Sequence, residues 1–116
     1  MTSNSHQIKK VRGSIVDLAR KMIAGECSYI EGSRLISGLL DAARLDRHEM
    51  PFLTFVAIDS ETDAIPVGRI LDHWSKDAKE AHASGWGHAE DWARSVGEAA
   101  CRAVLSELSN DSEFGA

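Results

Sequence analysis

The sequence predicts an all-α protein, a compact bundle of four to five helices. Three observations carry that prediction. Apolar residues recur at steps of three and four along most of the chain. Ser28 and Glu31 form a capping box ahead of one such stretch. The one run with strand-like content, residues 52–58, has no second strand to pair with.

The first helix is expected from Ile8, with Val11, Ile15, Leu18 and Met22 on one stripe that Ala19 and Ile23 widen. Gly25 is a natural C-terminal stop. The second helix starts after Ser28 and runs through Ile30, Leu35, Ile36, Leu39 and Leu40 to about Arg44. Gly32 and Gly38 lie inside it, where a neighbouring backbone has room to approach. Residues 50–65 mix the signals of strand and helix. Pro51 suits a first helical turn, so a short, central helix is expected over about 51–61. Pro66 and Gly68 then punctuate the chain. Val67, Leu71, Trp74, Ala78 and Ala81 mark a fourth helix, which Ser84 and Gly85 should break. The last helix carries Ala89, Trp92, Val96, Ala99, Ala100, Ala103, Val104 and Leu108, and small residues at 93, 97, 99, 100 and 103 suit close packing against another helix. Residues 1–7 are expected to be a disordered N-terminus, 8–108 a single helical domain and 109–116 a flexible tail.

The totals narrow the function classes. A net charge of −5 opposes binding to a nucleic acid backbone. Lys9, Lys10 and Arg12 form the densest basic group and read as the solvated face of a helix. The chain has no apolar run long enough to span a membrane and no secretion signal, so the cytosol is the expected compartment. Cys27 and Cys101 form no CxxC motif. Phosphate-loop, dinucleotide and nucleophile-elbow motifs are also missing, so neither cofactor nor metal is implied.

Four constellations remain. Glu31 and Arg34 stand one turn apart on the second helix, beside its apolar face. They read either as a recognition site or as a structural ion pair. Asp59, Glu61 and Asp63 follow the most apolar stretch. Asp59 shares a helical stripe with Phe52, Phe55 and Val56, so it needs a partner such as Arg34 or Arg69. The histidines, His73 among them, lack zinc-ligand spacing. Trp86, between Gly85 and Gly87, is expected on a loop, either as a contact anchor or as a plug for the core.

The run from Phe55 through Asp59, Glu61 and Asp63 to Gly68, with Trp74 after it, resembles a family of small bacterial proteins of unknown function. Residues 25–34 and Ala99-Ala100-Cys101 add to the likeness, which extends over roughly residues 15–105. Small acidic proteins of this kind are often immunity partners of bacterial toxins, an analogy that transfers no functional residue.

Three functional readings follow. The first is a protein-binding module, immunity-like by analogy, that meets a basic partner through Asp59, Glu61, Asp63 and Trp86. The second is a ligand- or metal-binding protein or small enzyme, with an inter-helix site built from Glu31, Arg34 and Asp59 and flanked by Arg69 or His73. The third is a homo-oligomer assembled through the small residues of the last helix.

Overall fold

The computed structural model describes the backbone of residues 2–63 and 76–114 and the side chains of residues 5–63 and 85–108. Four helices occur among these residues: α1 (Thr2–Ala24), α2 (Tyr29–Leu39), α3 (Phe52–Thr62) and α4 (Lys76–Phe114). No strand occurs among them. The all-α bundle expected from the periodicity is therefore observed, in its four-helix form. The molecule is elongated, 52 × 26 × 24 Å, as a bundle containing one 39-residue helix must be.

The local signals act where they stand. Gly25 ends α1 in the left-handed region, at φ 81°, and its N–H donates to the Met22 carbonyl at 3.2 Å. The Ser28 hydroxyl accepts from the Glu31 N–H at 3.0 Å and opens α2. Residues 52–58 are helical, with Pro51 at the N-terminal boundary of α3. Ile15, Ala19, Met22, Ile30, Ile36, Phe55, Ile58, Cys101 and Val104 meet in one buried core.

Four expectations need correction. First, α1 opens at Thr2, ahead of the apolar stripe, and α4 reaches Phe114, past Leu108. Second, the break at Ser84–Gly85 does not occur, and α4 runs through Gly85-Trp86-Gly87 as one helix. Each glycine costs about 1 kcal/mol in a helix, but Trp86 is half-buried against the core and helps to hold the segment. Tertiary packing overrides propensity here.

Third, the core stripe of α4 is only partly the expected one, sharing Ala100, Val104 and Leu108 with it. Ala93, Gly97, Ala100, Cys101, Val104 and Leu108 are buried, while Trp92, Val96 and Ala99 are exposed. Small size decides the outcome. A methyl group added at Gly97 would stand 2.9 Å from the Tyr29 ring and 3.2 Å from the end of Ile58, so these side chains need the glycine. Fourth, Met22 occupies the space at Gly32 with its side chain rather than with backbone, and Gly38 faces open space. The stripe positions Val67, Leu71 and Trp74, with Pro66 and Gly68, lie outside the described residues.

Candidate functional site

Arg34 and Asp59 come together across the α2–α3 interface. The guanidinium Nε lies 3.8 Å from Asp59 Oδ1, and a terminal guanidinium nitrogen donates to the Thr62 carbonyl near the end of α3. Both side chains are partly buried. This arrangement meets the requirement that a carboxylate beside an apolar stripe be paired, and it fastens the C-terminal end of α3 to the middle of α2. Glu31 lies one turn before Arg34, half-buried, with its N–H capped by Ser28. Glu61 and Asp63 are exposed. Trp86 sits on α4 rather than on a loop, and its ring packs on the core. Arg69 and His73 lie outside the described residues.

Arg12 also departs from the solvated role read from the sequence. Its Nε donates to the Ala43 carbonyl at 2.9 Å, tying α1 to the turn after α2. Lys9 and Lys10 are exposed.

A cavity of about 380 Å³ lies between the α1–α2 loop and α4 and is lined by Cys27, Ser28, Tyr29, Glu90, Arg94 and Glu98 among others. Its central carboxylate is committed to structure. Glu90 accepts from the Tyr29 N–H at 2.7 Å and from the Ile30 N–H at 3.1 Å. It thereby caps α2 from another helix and satisfies two backbone donors at the helix start. Both thiols nearby are poor nucleophiles. Burial, reinforced by Glu31 and Glu90, pushes the Cys27 thiol up from its ordinary value. Burial, reinforced by Cys27 and Glu98, pushes Cys101 up to about 12. The reactive form of a cysteine is the thiolate, which such shifts suppress. Among the described residues, no group of three or more His, Cys, Asp or Glu side chains is arranged to hold a metal ion. Nor is any described helix long and apolar enough to cross a membrane.

A second cavity is an apolar groove of about 300 Å³ between α3 and α4. Met50, Leu53, Thr54, Ala57 and Ile58 form one side, and Trp92 and Val96 the other. Met50 is 68% exposed, and Leu53, Trp92 and Val96 are each 40% exposed. Of the five large apolar side chains that are exposed among the described residues, only Leu35 lies outside this groove. Scattered apolar side chains are normal on a surface, but their concentration in one groove is not.

Sequence reading missed both Glu90 and the groove. Glu90 carried a signal: it falls in phase with Trp86, Ala93 and Gly97 on the buried side of α4, where a carboxylate needs partners. The groove carried none, because Trp92 and Val96 looked like core residues.

No protein-family profile, curated protein or solved structure matches this chain.

Proposed function

We propose that this chain is a small protein-binding module that docks its partner in the groove between α3 and α4. The observation that carries this reading is the gathering of Met50, Leu53, Trp92 and Val96, all exposed, along one surface. An apolar patch that leaves water on binding supplies affinity, and an aromatic side chain at its centre is a favoured anchor. The contact anchor is thus Trp92, in place of the Trp86 favoured by the sequence. The acidic group keeps part of its role. Glu61 and Asp63 remain available to a partner, while Asp59 is held by Arg34.

The test is retention of a stoichiometric partner by the wild type and by groove variants. Leu53→Gln and Val96→Gln should each lose the partner while keeping a native circular dichroism spectrum. Leu35→Gln, which changes an exposed leucine elsewhere, should keep it. Equal retention by all four proteins would sink the proposal.

A further inference from the structure

We infer that the groove takes an amphipathic helix from a basic protein partner, rather than a second copy of this chain. The inference rests on the docking reading above and adds the chemistry of the occupant.

The shape argues for a helix. The small side chains Thr54 and Ala57 lie between the larger Met50, Leu53, Trp92 and Val96, so a shallow trough runs between two helices. Helix-in-groove recognition uses such a trough, filled by anchors at i, i+3 or i+4, and i+7. The 11 residues of α3 are about 16 Å long, which matches roughly three turns of a docked helix.

The charge argues against self-association. Glu61 stands one turn beyond Ala57 on the same side of α3 and extends the groove wall with a carboxylate. Glu49 precedes Met50 at the start of this wall, and both acids are exposed. α3 contains no Lys or Arg. Between residues 85 and 99 of α4 the only such residue is Arg94, and it lines the polar cleft shared with Glu90 and Glu98. A second copy would bring the same acids toward each other on a chain of net charge −5. A helix flanked by Lys or Arg would meet them with opposite charge, which speeds association and excludes wrong partners.

The experiment uses two fluorescein-labelled model peptides of about 14 residues, an estimate from the groove length. Both carry Leu at i, i+4 and i+7; one is flanked by Lys and the other by Glu. Anisotropy titration into the full chain at low salt should show the Lys peptide binding at least about tenfold tighter than the Glu peptide. Leu53→Gln and Val96→Gln should each abolish binding, and Leu35→Gln should not. Glu61→Gln should weaken the Lys peptide by up to about fivefold, the range of one exposed charge pair. If both peptides bind equally and Leu53→Gln removes both, the groove docks helices but the basic partner is wrong. If neither binds and sedimentation shows a dimer that Leu53→Gln dissolves, the occupant is a second copy and the inference falls. If neither binds and the chain is monomeric, the inference also falls, and the docking reading then stands or falls on partner retention by the groove variants alone.

Discussion

The two sides of α4 solve opposite problems. On its inward side the helix presents Ala93, Gly97 and Ala100, small residues that let Tyr29, Ile58 and the core approach closely. A carboxylate on this side, Glu90, closes the start of α2. Toward the groove the same helix presents Trp92 and Val96, large residues left in water. A sequence under selection for burial alone would place the large side chains inward. Over residues 92–100, size complementarity and not hydrophobicity decides which face of α4 joins the core, whereas farther along the large Val104 and Leu108 point inward. The inversion also makes the exposed face informative.

The strongest way to break the inward side is to remove Glu90. In Glu90→Ala the N–H groups of Tyr29 and Ile30 lose their acceptor in a buried setting. The expected loss is about 2–3 kcal/mol, the combined effect of a helix cap and a buried unsatisfied donor. Glu90→Gln keeps one carbonyl acceptor and should lose about half as much, on the same scale. Urea denaturation measures both variants. Amide exchange at Tyr29 and Ile30 should accelerate before that of the core if the loss is local. A Glu90→Ala protein as stable as wild type would mean that water caps α2 equally well.

Gly97→Ala comes next. The added methyl would meet the Tyr29 ring at 2.9 Å, and Tyr29 is itself buried. Overpacking of this kind costs about 1–3 kcal/mol, which outweighs the roughly 1 kcal/mol that alanine gains over glycine in a helix. Gly38→Ala is the control: nothing lies within 4 Å of the added methyl, so the variant should be up to about 1 kcal/mol more stable. Thermal melts of the pair should move in opposite directions.

Cys101 adds a pH-dependent component to the same side. Its thiol is raised from 9.0 in the free residue to about 12 in the fold, first by burial and then by Cys27 and Glu98. A raised value means that the folded chain holds the proton more tightly than the unfolded chain. Stability from this group is therefore complete below pH 9 and declines as pH rises from 9 toward 12. Tyr29, also raised by burial, pulls in the same direction from pH 10 upward. Cys101→Ala should show a shallower decline in urea midpoint between neutral pH and pH 10 than wild type. Parallel declines would show that the buried thiol does not contribute.

The fold was legible where one residue settles a local question. Ser28 with Glu31 set the start of α2 and Gly25 the end of α1, because capping and left-handed turns depend on chemistry within a few residues. The Arg34–Asp59 pair was legible too, since a carboxylate beside an apolar stripe requires a partner. What failed required knowledge of distant residues. Gly85 and Gly87 read as a break because propensity is local, whereas the packing of Trp86 that offsets them is not. Along α4 the close-packing small residues at 93 and 97 were legible, but Trp92 and Val96 were also assigned to the apolar stripe because they rank high on any hydrophobicity scale. The positions of Tyr29 and Ile58 show what a small residue at Gly97 makes room for.

The smallest expected effect tests the comparison most directly, because it concerns the neighbour of Gly97. Val96 and Gly97 are adjacent in sequence and face opposite surroundings: one is 40% exposed in the groove, the other buried under Tyr29. Val96→Gln replaces a half-exposed β-branched side chain with a longer, polar residue that forms helices well. It should shift stability by no more than about 0.5 kcal/mol, the usual range for surface substitutions. If the wet side of α4 serves only recognition, its polar variants fold as well as wild type and lose only the partner. A Val96→Gln protein destabilised as much as Gly97→Ala would instead place Val96 in the packing that holds α3 against α4, and the groove would then be a seam of the fold.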